Sequence, residues 1–192
     1  MRGAHRRRGG VLVSGRPAQA GARVSLAHLN SLDQAGFEAV CGPLFEGSPW
    51  IAARTWKRRP FLSRDVLLSE LVATMGRASD AEQLDLLRAH PDLVGRLARE
   101  GKVSRESTKE QAAAGLDALS DQEVEVFNRC NGEYREKFGF PFIICARENR
   151  KEAILEAFPR RLAHTRGQEI TAALEEIAKI ARLRLLDRVA EI

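Results

Sequence analysis

The chain has 192 residues, 44% apolar and 6% aromatic, which is enough for one domain with its own core. No apolar run approaches the roughly 18 residues of a membrane span, so no membrane partner is expected. The formal charge of +5 hints at nucleic acid, but residues 1–23 hold six arginines and no acid, leaving the rest of the chain at −1, whereas a nucleic-acid-binding domain carries its basic patch on the fold itself.

Residues 1–23, rich in Gly, Arg and Ala, read as a disordered basic extension, and residues 24–192 as one domain. Within that domain Ser31-Leu32-Asp33-Gln34 has the form of a capping box, followed by Phe37, Val40 and Cys41 at helical spacing. Gly42-Pro43 ends this helix. Another starts at Pro49-Trp50 and is broken by Arg59-Pro60. Ser63 caps a helix bearing Val66, Leu67, Leu71 and Val72. Ser79-Asp80-Ala81-Glu82 is a second capping box, and its helix stops at His90, because a residue before proline resists helical angles. A short helix through Leu93 and Leu97 is expected to close at Gly101. Ser107-Thr108-Lys109-Glu110 reads as another capping box.

Ser120-Asp121-Gln122-Glu123 caps a longer helix with Phe127 and Tyr134, stopped by Gly139-Phe140-Pro141. Phe142-Ile143-Ile144-Cys145 is the one strand-like run; alone it cannot make a sheet, so its backbone groups must find other partners. Asn149 to Phe158 reads as a helix broken near Pro159, and the last helix as Thr165 to Val189. The sum is an all-α domain of about seven to nine helices and no sheet. Cys41, Cys130 and Cys145 are far apart, with no Cys-x-x-Cys, and read as free buried thiols in a reducing cytoplasm.

Three charged or titratable residues stand out. His90 lies about 40° around its helix from Leu86 and about 60° from Leu87, so it faces the core. A histidine fixed there by the following proline has the makings of a general acid or base; the structural alternative is a histidine that merely caps carbonyls. Glu110 is either the return carboxylate of the Ser107 box or a partner that orients His90. Arg184 lies about 20° from Ile177 and about 40° from Ile180 on the last helix. It therefore falls inside the apolar stripe, as a rim residue or as a guanidinium lining a cavity. Trp50 and Trp56 are expected in the core, His28 and His164 on the surface.

Four segments, Ala89-His90-Pro91-Asp92-Leu93, Glu106 to Gln111, Phe138 to Cys145 and Ile180 to Leu185, together resemble the 2-oxo-4-hydroxy-4-carboxy-5-ureidoimidazoline (OHCU) decarboxylases of urate degradation, over roughly Ser25 to Val189. The resemblance implies a cofactor-free, all-helical enzyme, commonly a homodimer, that converts OHCU to (S)-allantoin and carbon dioxide. It matches His90, Glu110 and Arg184 to catalytic positions. It matches Pro91, Ser107, Thr108, Lys109, Glu110, Gln111, Phe142, Ile143, Ile144, Cys145 and Ala146 to substrate-contacting ones. Two other classes stay open: a non-catalytic helical module whose basic tail touches an anionic partner, and a different lyase or hydrolase acting on a ureide or imidazolinone.

Overall fold

Short polar side chains set most of the helix starts. In the computed structural model, which describes residues 23–94 and 104–192, serine, threonine or aspartate caps seven of the helices by accepting the backbone N–H three residues on. Among the described residues the helices are α1 (Leu26–Ser31), α2 (Gln34–Cys41), α3 (Trp50–Trp56), α4 (Arg64–Gly76), α5 (Asp80–Ala89), α6 (Arg105–Ala113), α7 (Asp121–Phe138), α8 (Lys151–Leu162) and α9 (Arg166–Arg188). Two 3₁₀ turns, Gly42–Leu44 and Ala146–Glu148, join them. The all-α class stands.

Several boundaries differ from the sequence reading. The cap at the second helix is Asp33, which accepts from the Gly36 N–H at 2.8 Å, while Ser31 closes the short α1. Helix α6 is capped by Ser104, three residues before the expected Ser107. Pro159 does not break α8; it lies in the last turn, and Ala163 closes the end by donating to the Pro159 and Arg160 carbonyls. A proline one turn from the end removes one helical N–H, and the buried Ile154, Ala157 and Phe158 hold that helix against the core. A sheet exists, although it is minimal: β1 (Val24–Ser25) and β2 (Val189–Ala190) run parallel, with Val24 opposite Val189. It joins the two ends of the described chain and was too short to leave a pattern. The helix expected to close at Gly101 lies, beyond Val94, outside the described residues, as does the extension apart from Arg23.

One contiguous set of buried side chains runs from Leu26 to Val189. Its densest part is aromatic. Tyr134 packs edge-on against Phe142 and Phe158, and Phe142 stacks on Phe158 with centroids 3.9 Å apart. The run Phe142–Cys145, continued by Ala146 at the start of the second 3₁₀ turn, is a buried strip that joins this cluster through Phe142. Cys41 and Cys145 are buried and Cys130 half-buried, and all three are free. Burial raises the Cys41 thiol to about 12. Trp50 and Trp56 lie at the rim of the core, each with an arginine (Arg54, Arg59) over its ring. His28 is exposed as expected; His164 is half-buried, with Nδ1 2.7 Å from Glu169.

Gly47 locks the 3₁₀ region against the end of α5. Its φ is +59°, and a Cβ there would stand 2.8 Å from the Ala89 Cβ. Gly47→Ala is expected to cost about 1–2 kcal/mol in urea unfolding, with part of the loss recovered by adding Ala89→Gly. An unchanged midpoint in the single variant would show that neither the contact nor the backbone angle matters.

Candidate active site

His90 is the C-cap of α5, held out of the helix at ψ 139° by Pro91. It is 7% exposed, and its Nδ1 lies 2.9 Å from the Leu86 carbonyl. A carbonyl can only accept, so Nδ1 carries the proton and Nε2 keeps its lone pair. Burial lowers the imidazole to about 4, against smaller raising effects of the Leu86 carbonyl and Glu46. His90 is therefore a neutral base near pH 7.

The segment after His90 is tied from two helices. Arg135 of α7 pairs with Asp92 at 2.9 Å, and the Asn131 amide donates to the Leu93 carbonyl at 2.7 Å. Gln111 of α6 accepts the Val94 N–H at 3.0 Å, with Val94 at a φ of +58°. Because the Gln111 oxygen is used there, its NH₂ is the end left to donate elsewhere.

The second cluster centres on Arg184, which is 3% exposed in α9. Nε and Nη2 form a fork to Glu110, both at 2.7 Å. Nη2 also donates to the Ser107 hydroxyl, and Nη1 donates to the Pro43 carbonyl and to Glu46, each at 3.2 Å. These are five contacts for five N–H groups. Of the two readings from sequence, the guanidinium that lines a cavity holds, since Arg184 borders the same cavity as His90 while its five N–H groups face protein acceptors. Glu110 is not the carboxylate of a capping box. With Ser104 as the cap, Glu110 sits a turn inside α6, and its oxygens go to Arg184 rather than to His90.

Glu46 was not singled out in the sequence. It accepts from Arg184 and from the hydroxyls of Ser104, at 3.0 Å, and Ser107, at 3.1 Å. No periodicity flags it, since it stands in a loop before α3 and all three partners are distant in sequence.

His90 and Glu110 share one cavity with Pro91, Leu93, Ser107, Gln111, Phe142, Ile143, Ile144, Ala146, Ile180 and Arg184. The structure thus brings together residues from four separated segments. Three candidates do not line it. Thr108 and Lys109 are exposed, and Cys145 is buried with its N–H given to Glu176 at 2.7 Å. Leu93 and Ile180 are lining residues that the sequence did not single out. Among the described residues no group of His, Cys, Asp and Glu is arranged to hold a metal ion, and no helix is long and apolar enough to cross a membrane.

Residues 30–186 match the family model described as OHCU decarboxylase. A 2-oxo-4-hydroxy-4-carboxy-5-ureidoimidazoline decarboxylase of Halalkalicoccus jeotgali is 42% identical over 163 residues, covering 85% of this chain and 90% of that protein. One from Mus musculus is 36% identical, covering 85% and 92%. A crystal structure of (S)-allantoin synthase superposes with a TM-score of 0.69 at 31% identity, covering 87% of this chain and 54% of that one. A crystal structure of an OHCU decarboxylase in the presence of (S)-allantoin, at 22% identity and a TM-score of 0.62, shares the fold.

The buried imidazole makes a direct prediction. Between about pH 6.5 and about 4 the unfolded chain takes up a proton at His90 that the folded chain does not. Stability therefore falls as pH drops through that window, by up to about 3 kcal/mol from this group. Imidazole ¹⁵N shifts should show a neutral Nδ1–H ring across pH 6–7, titrating near about 4. A midpoint near 6.5 would mean that the ring is not buried as described.

Proposed function

As the chain belongs to the OHCU decarboxylase family, we propose that the cavity beside His90 converts OHCU to (S)-allantoin and carbon dioxide. The enzyme is a carbon–carbon lyase of urate degradation. The observation that carries the site assignment is the buried neutral His90, lone pair free on Nε2, sharing a cavity with a carboxylate that Arg184 holds fixed.

The substrate contains its own electron sink. The carbon bearing the carboxylate also bears a hydroxyl and adjoins a C=N carbon. When the bond to the carboxylate breaks, its electron pair forms a C=C bond, the C=N pair moves to nitrogen, and that nitrogen takes up a proton. His90 Nε2 then receives the hydroxyl proton, the hydroxyl becomes the ring carbonyl, and the C=C pair takes a proton on the ureido-bearing carbon. Delivery from one face makes the product chiral. Because the electrons stay within the ring, the chemistry calls for no cofactor.

The other residues position and desolvate. Arg184 fixes Glu110 against the substrate and keeps α6 seated, acting through Glu110 rather than by its own contact. The Gln111 NH₂ and the strip Phe142–Ala146 take the ring carbonyl and ureido groups. Pro91 fixes the His90 backbone, and Ser107 supports Arg184. Leu93, Ile143, Ile144 and Ile180 surround the carboxylate with apolar surface, which favours its departure as neutral carbon dioxide. A homodimer in the cytoplasm completes the proposal. The exposed Leu62, Val66 and Ile192 are apolar surface that a second copy would cover, three free thiols suit a reducing compartment, and a monomeric mass in sedimentation would remove the dimer.

His90→Asn should lower kcat/KM by about 10³-fold or more with an unchanged unfolding midpoint near neutral pH. Arg184→Lys should lower it about 10–100-fold, because a point charge cannot hold the Glu110 fork. Wild-type kcat/KM in His90→Asn would sink the assignment of the base.

A further inference from the structure

A second buried charge cluster, centred on Glu169, has no part in the chemistry above. Glu169 is 0% exposed, in the first turn of α9. It accepts from Arg161 Nε at 2.7 and 2.9 Å, lies 2.7 Å from His164 Nδ1, and accepts the Tyr134 hydroxyl. Arg161, its side chain 11% exposed, extends beyond the pair. Its Nη1 donates to the Ile143 carbonyl at 3.3 Å, and its guanidinium carbon lies 5.2 Å from the centre of the Phe142 ring.

Both Phe142 and Ile143 line the cavity. Their strip has no sheet, and side chains make three bonds to its backbone. Arg161 takes the Ile143 carbonyl, Glu176 takes the Cys145 N–H, and Asn149 takes the Cys145 carbonyl at 3.0 Å. A buried ion pair adds little net stability, because desolvation offsets its attraction, and apolar residues of like size would serve the fold as well. What apolar residues could not supply is a directed donor to the Ile143 carbonyl, anchored by a carboxylate and braced by the tyrosine behind the Phe142 ring.

We propose that Arg161, anchored by Glu169, is a positioning residue that sets the register of the Phe142–Ala146 strip against the substrate. This rests on the reading of that strip as a substrate-binding element. The strip holds the ring equally before and during decarboxylation, so its displacement removes uniform binding: KM rises while kcat changes little. That separates Arg161 from His90, whose loss acts on kcat.

The test uses Arg161→Gln in ¹⁵N-labelled full-length protein, with Arg161→Lys as the conservative variant and Glu169→Gln in case Arg161→Gln fails to fold. Amide shifts of residues 142–146 are compared with wild type, and KM and kcat are measured on OHCU generated from urate. The proposal expects the strip amides to shift, KM to rise about 5–20-fold with kcat within about twofold, partial rescue by lysine, and a KM rise in Glu169→Gln as well. Unmoved strip amides would overturn the positioning role while leaving the strip's substrate contact intact. Moved amides with an unchanged KM would overturn the proposal through the reading it rests on, since the strip would then not bind substrate.

Discussion

A guanidinium cannot be buried without partners, and this constraint at Arg184 organises the site. Leaving such a charge unpaired costs about 3–5 kcal/mol. The fold meets it by drawing three elements around one side chain: α6 through Glu110 and Ser107, the turn after α2 through the Pro43 carbonyl, and the loop before α3 through Glu46. The same bonds fix α6 relative to α9, and therefore Gln111 and the Val94 backbone that it holds. A change at Arg184 therefore reaches the α6 wall of the cavity and, through Gln111, the segment after His90.

Two kinds of polar group then divide the work. Glu110 and Arg184 are bound to one another, and in the proposed reaction a pair set before substrate arrives leaves little reorganisation. His90 stays chemically open, because burial keeps it neutral and its only ordinary acceptor within α5 uses the Nδ1 side. Apolar walls complete the arrangement. It suits a reaction in which a charged carboxylate becomes a neutral gas and a single proton must reach one face of a ring carbon.

His90 was legible because the His-Pro rule and the wheel position of Leu86 are local facts, and both survive in the fold. Arg184 was legible as buried for the same reason, but its partners were not. Glu46 and Glu110 reach it from positions 138 and 74 residues away, and no spacing encodes that. Ser104 and Ser107 are the same residue type three positions apart, so the sequence does not distinguish them as caps of α6; Ser107 instead lies inside the helix, bonded to Glu46 and Arg184. Glu169 could have been found. It lies about 20° around α9 from Ile180 and about 40° from Ala173, the very test that marked Arg184. The two-residue sheet had no chance, since strands of that length carry no alternation.

The stereospecific decarboxylation proposed for this cavity can be followed in solution. The most direct measurement generates OHCU in place from urate with the upstream enzymes, adds the protein, and follows circular dichroism as the OHCU absorbance decays. Faster decay with accumulation of optically active (S)-allantoin is the predicted result. Decay at the uncatalysed rate to a racemic, optically silent product would contradict it.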